Sequence, residues 1–371
     1  MAAAATVPAS AATLRARRLP LLALGFVSLL GGVLAGLARL GLGVPLPHLD
    51  LALLHGPLMV SGFFGTVIAL ERAAALGRRW IFAGPLAAGL SGALLVAGAP
   101  PLAAALLMTV ASGVLLAASV WVWTRQKEGF TATMAGGAAC WLVGNALWLL
   151  GAPVSAAVLW WALFLVLTIA GERLELSRFQ PPNRWAGPAF AAAVAILVLG
   201  AAVAVAAPEA GFRVAGLGML ALAGWLARFD VARRTVRGSG LPRYVAACLL
   251  SGYAWLAVAG AVALAGADPT GGQYDAVLHA LFLGFVFAMV FGHAPIILPA
   301  VLRLAVPFAP RLYLPLAALH LGVALRTAGV LSGELAVRQW GGLANAAALA
   351  LFIAVTAHAV LAKKAPVRRN P

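Results

Sequence analysis

The chain has 371 residues, 63% of them hydrophobic and 10% charged, with a mean hydropathy of +1.00. A soluble domain carries roughly 25% charged residues, so this composition excludes an ordinary soluble protein and makes lipid the solvent. The net charge of +16 lies mainly on arginines in short connections between apolar runs, a pattern that sets membrane topology and argues against nucleic-acid binding.

Residues 1–18 read as a flexible N-terminus, cytoplasmic by the charge rule, whose cluster Arg15, Arg17 and Arg18 precedes the first apolar run without a cleavage site. Runs follow at 20–40, 51–73, 80–99, 102–124, 131–151, 154–172, 186–207, 211–229, 243–266, 275–302, 311–331 and 339–362. About 20 apolar residues cross ~30 Å of hydrocarbon as a helix. The in/out alternation of a β-barrel strand is missing. The sequence predicts an all-α polytopic membrane protein of about twelve helices, one transmembrane domain over 19–362, and a basic cytoplasmic tail over 363–371. Arginines and lysines concentrate before helix 1 and after helices 2, 4, 6, 8, 10 and 12, whereas the alternate connections hold Arg39, Arg213, Arg326 and Arg338. That alternation predicts cytoplasmic termini. The Pro-Pro-Asn stretch at 181–183 reads as a turn, and Cys140 and Cys248 as apolar packers. Ala-Leu-Phe-Leu follows both Trp161 and His279, and Glu-Arg recurs at 71–72 and 172–173. This recurrence fits three four-helix units around a pseudo-threefold axis, or chance in an Ala/Leu-rich chain.

Five of the six histidines fall inside predicted spans; His48 sits in a Pro-rich connection and reads as solvated. An ionisable residue within the membrane faces the bundle interior and either works there or hydrogen-bonds a neighbouring helix. His55 and His279 each lie about five residues into helices of the same direction, so at about 1.5 Å per residue both sit roughly 6–8 Å below the same surface. Facing imidazoles at one level suit a haem iron or another metal, and Gly56, Ser61, Gly62 and Gly65 are small enough for a flat macrocycle or for plain helix packing. His293 and His320 share a deeper level and, with His358, make a candidate second metal site; Pro295 and Pro299 after His293 mark a site-lining or a packing kink. Asp275, four positions before His279, is placed to orient its imidazole. Arg326 is placed to pair with a haem propionate or to snorkel to the headgroups. The charges Glu71, Arg72, Glu172, Arg173, Glu175 and Arg178 read as topology-setting interfacial charges or as an ion-pair network, and Asn145 and Asn345 as interhelical hydrogen-bond residues. There is no Walker A loop, H-E-x-x-H, G-x-S-x-G or C-x-x-C-H sequence, so a nucleotide-driven pump, a zinc protease and a covalent haem lose ground.

The segment from His55 through Gly-Pro-Leu-Met-Val-Ser-Gly-Phe-Phe-Gly, with Leu278-His279-Ala-Leu-Phe-Leu-Gly, resembles the NnrS family of bacterial membrane proteins. The resemblance implies twelve helices, a non-covalent b-type haem with copper as a further metal, a link to the nitric-oxide response, a redox partner, and residence in the bacterial inner membrane. It also resembles haem-copper oxidase subunit I, which implies that His55 and His279 are a haem-ligand pair. Position 57 is Pro57, where NnrS proteins show the second histidine of a His-x-His, and helices 6 and 7 lack the histidines of an oxidase-type centre. The expected function is haem or metal binding in nitric-oxide response, denitrification or electron transfer, without an assigned reaction. The alternative is a proton-coupled secondary transporter using the intramembrane histidines.

Overall fold

The computed structural model describes residues 11–180 and 183–362. Residues 1–10, the basic tail expected over 363–371, and Pro181 and Pro182 of the expected turn lie outside the described residues. All twelve apolar runs form helices long enough to cross a bilayer: α1 (Ala12–Arg39), α2 (Leu49–Leu76), α3 (Arg79–Val96), α4 (Pro101–Trp123), α5 (Gly129–Leu149), α6 (Val154–Ser177), α7 (Ala186–Ala206), α8 (Pro208–Phe229), α9 (Gly240–Ala265), α10 (Gly272–Leu302), α11 (Pro310–Ser332) and α12 (Leu335–Ala362). Among the described residues there is no strand. Helix satisfies its own backbone where no water can, and the chain is an all-α, membrane-embedded protein.

The largest boundary differences lie where charged residues continue a helix. α1 starts at Ala12, so residues 12–18, expected as flexible, are helical and run through Pro20. Leu14, Arg15, Arg17 and Arg18 are good helix formers, and the Arg18 guanidinium donates to the Val301 carbonyl at 2.8 Å, tying α1 to the end of α10. α6 runs on to Ser177, carrying Glu172 and Arg173 inside the helix.

α2, α6 and α10 are the most buried of the twelve and form the centre of the bundle. Phe287 of α10 stacks on Phe63 of α2 at 6.0 Å, and Trp141 of α5 stacks on Phe164 of α6 at 4.7 Å. Asn145 of α5 links four helices: its carbonyl accepts from Ser61 of α2 (2.8 Å) and Trp161 of α6 (2.9 Å), and its amide donates to the Met108 carbonyl (2.9 Å) and Ser112 (3.2 Å) of α4. The expected interhelical role of Asn145 holds, and both cysteines are buried and unpaired by any disulfide. Leu30, Leu106, Val110, Leu199 and Leu321 project outward, as lipid-facing residues do, and Trp80, Trp123, Trp185 and Trp340 lie exposed at or just before helix ends, where aromatic belts form. Twelve helices that each cross put the start of α1 and the end of α12 on one face, here the terminal face.

Candidate functional site

The site lies toward the opposite face. After α1 the chain turns at Gly41, in the left-handed region at φ +76°, and climbs through Pro45 and Pro47 into a 3-10 turn, Leu49–Leu54, that opens α2. His48, expected to be solvated, bonds through Nε2 to the Leu95 carbonyl at 2.9 Å. His55 follows on one short α-turn, His55–Pro57, and Pro57 costs nothing there because a first-turn N–H has no helical acceptor. Residues Leu58–Phe64 are then π-helical. α10 repeats the device: a regular turn pair, Gly272–His279, ends on the histidine and Ala280–Phe287 are π-helical. Such widened turns recur at functional sites.

Both rings are fixed in the same tautomer. His55 Nδ1 lies 2.7 Å from the Gly32 carbonyl of α1, and His279 Nδ1 lies 2.8 Å from the Asp275 carbonyl and 3.2 Å from the Asp275 carboxylate. Carbonyl oxygens only accept, so each Nδ1 carries a proton, and in the neutral ring each Nε2 has the lone pair. Neither Nε2 has a hydrogen-bond partner among the described residues. The ring centres are 6.1 Å apart with planes 15° from parallel. Two imidazoles bonded end-on to one metal through ~2 Å nitrogen bonds have ring centres about 6 Å apart.

Both rings line a cavity of about 640 Å³, together with Met59, Phe64, Phe282 and Phe287. Its charged lining residues are Arg39, Arg326, Arg338 and Asp275, so the wall carries two more positive charges than negative. Arg326 holds Asp275 in a fork, Nε and Nη2 at 2.9 and 2.8 Å, and Arg338 adds a contact at 3.2 Å. The arginines converge because α11 and α12 touch backbone to backbone: a Cβ on Gly341 would come within 2.4 Å of the Arg326 amide nitrogen. Arg326 is buried against its carboxylate and does not snorkel. Among the described residues no three His, Cys, Asp or Glu side chains gather as a metal site. The pair is two ligands, short of the three or four that a bare zinc or copper ion takes from protein. What the cavity offers is two imidazole nitrogens, apolar side chains and a net positive wall.

A family model described as Domain of unknown function (DUF8744) matches residues 18–361. The chain belongs to that family. The match covers every wall of the cavity, and no curated protein matches the chain.

His293, His320 and His358, expected as a second site, are not gathered as a three-residue metal site among the described residues. His293 Nδ1 bonds the Met289 carbonyl at 2.7 Å and its Nε2 accepts from Arg173 at 3.1 Å. His320 bonds Ser251 at 2.8 Å beside Trp255, and His358 is exposed. Helix packing gives each a different neighbour, which equal depth does not reveal. α10 runs helically through Pro295 and Pro299 to Leu302. Ser61, Gly62 and Gly65 serve packing: Ser61 accepts from Trp141, Gly62 faces Ser28 and Gly65 faces Trp141. Asn345, expected to bridge helices, is buried with neither amide atom bonded, its oxygen lodged against Gly322. Arg173 is buried between His293 and Asp230 (4.0 Å), whereas Glu175 and Arg178 pair at the surface. Arg39 and Arg338 were legible as charges on the arginine-poor side, yet nothing in their spacing placed them on the wall of this cavity.

Proposed function

We propose that the protein is a b-type haem-binding membrane protein of NnrS-like kind, in which His55 and His279 would hold the iron and Arg39, Arg326 and Arg338 would balance the negative charge of the group. The observation that carries this reading is the pair of Nε2 atoms without hydrogen-bond partners on near-parallel rings 6.1 Å apart. A haem held by two histidines would supply one-electron transfer. The chain's own residues orient and surround it: the Gly32 and Asp275 carbonyls hold the rings, and Phe64, Phe282 and Phe287 give the cavity apolar walls. The nitric-oxide or denitrification context and a redox partner rest on the NnrS resemblance. Residence in a bacterial inner membrane with cytoplasmic termini rests on that resemblance and on the arginines of the terminal face. Copper would find the two imidazole nitrogens in this cavity, with the Met59 thioether also on its wall.

Purified in detergent with haem supplied, the chain is expected to hold one non-covalent haem per chain, extractable in acidic acetone, with a six-coordinate low-spin spectrum. Folded protein that takes up no haem contradicts the reading. The proton-coupled transporter reading loses support at His293, whose Nε2 already accepts from the Arg173 guanidinium at 3.1 Å.

A further inference from the structure

This inference rests on the haem reading above. The two histidines are held by unequal partners. His279 donates within its own helix to the Asp275 carbonyl at 2.8 Å, and its Nδ1 also meets the Asp275 carboxylate at 3.2 Å. That carboxylate is a fixed charge, clamped by Arg326 and Arg338. His55 has a neutral partner on another helix, the Gly32 carbonyl at 2.7 Å. Its backbone is the more irregular, a single α-turn between a 3-10 turn and a π-helical stretch, whereas His279 closes a regular segment. A ring N–H that faces a carboxylate makes the opposite nitrogen a stronger donor to metal than one that faces a carbonyl.

We infer that Asp275 is a positioning residue that makes His279 the anchoring ligand and leaves His55 the exchangeable one, so that the α2 side of the cavity admits a small neutral ligand to the iron. When His55 leaves, its Nε2 lone pair is released and the incoming neutral molecule takes the vacated position, with no change of charge or electron count. The hold on His55 depends on α1, because its Nδ1 donates to the Gly32 carbonyl and its ring packs against Gly36.

Carbon monoxide is the probe. The reduced wild-type protein is expected to bind it slowly, and His55→Ala to keep its haem and bind it about tenfold faster or more, the low end of the range for disturbed metal-site partners. His279→Ala is expected to lose its haem. Resonance Raman spectra of the reduced His55→Ala protein are expected to show an iron–histidine stretch that falls in frequency when Asp275→Asn is added. A merely structural role for Asp275 leaves that stretch unmoved. Should His55→Ala not fold, photolysis of the wild-type carbon monoxide complex yields the same five-coordinate species, to be compared with that of Asp275→Asn. A wild-type protein that refuses carbon monoxide, haem retained by His279→Ala but not by His55→Ala, or an unmoved stretch overturns the inference while the haem reading stands. A wild-type protein without any haem absorption overturns both.

Discussion

His55 owes its orientation to two glycines of α1. Gly32 offers the carbonyl that its Nδ1 donates to, and Gly36 leaves the space that its ring fills; a Cβ on Gly36 would sit 2.8 Å from the ring Cε1 and 2.9 Å from Nδ1. Gly36→Ala is therefore expected to push the ring off its position and, like His55→Ala, to speed carbon monoxide binding to the reduced, haem-supplied protein while the haem is kept. Stopped-flow mixing with carbon monoxide measures it, and an unchanged binding rate contradicts the assigned contact. The pairing of His55 with His279 was legible because depth along a helix is arithmetic. The roles of Gly32, Gly36, Arg39 and Arg338 were not, because they depend on which helices lie beside α2 and α10. The same blindness misassigned Asn345, whose amide type says that it wants partners but not that Gly322 would face it without offering any.

At the scale of elements, the lengths of the apolar runs placed the spans closely, since a buried or lipid-facing run has to be helical from end to end. It gave no sign of the π-helical stretches Leu58–Phe64 and Ala280–Phe287, whose sequences are as apolar as any other turn in the chain. The packing between elements is set by a few polar side chains. Removing the Asn145 side chain leaves the Trp161 and Ser61 donors and the Met108 carbonyl without their partner. Asn145→Ala is expected to lower stability by about 1–3 kcal/mol, the cost of a buried unsatisfied group. Thermal unfolding in detergent reads the change. The two ion pairs of the α6 end provide a contrast. Asp230→Ala strands the buried Arg173 and Tyr253 and is expected to cost about 3–5 kcal/mol. Glu175→Ala, which breaks an exposed pair with Arg178, is expected to cost about 0–1 kcal/mol. Equal effects at the two positions contradict the buried role given to Arg173.

Over the whole molecule, charge is divided by depth. Arg15, Arg17, Arg78, Arg79, Arg125, Arg233 and Arg234 belong to the terminal face, and the opposite face spends two of its few arginines on Asp275. Single cysteines introduced at Arg79 and Arg125 in a Cys140→Ser, Cys248→Ser background are expected to resist a membrane-impermeant thiol reagent in intact cells, and one introduced at Leu49 to react. The opposite labelling pattern contradicts cytoplasmic termini. The twelve-helix count was readable because lipid imposes length and apolarity on every span at once, while the cavity was hidden because it is assembled from α1, α2, α6, α10, α11 and α12, far apart in sequence.

The central claim is that one haem is clamped between His55 and His279. It is tested most directly by absorption spectra, oxidised and dithionite-reduced, of the haem-supplied wild-type protein beside His55→Ala and His279→Ala. The account predicts sharp reduced α and β bands in the wild type, a loss of the low-spin bands in both variants, and no haem in His279→Ala. A low-spin spectrum that survives either substitution, or a wild-type protein with no Soret band, contradicts it.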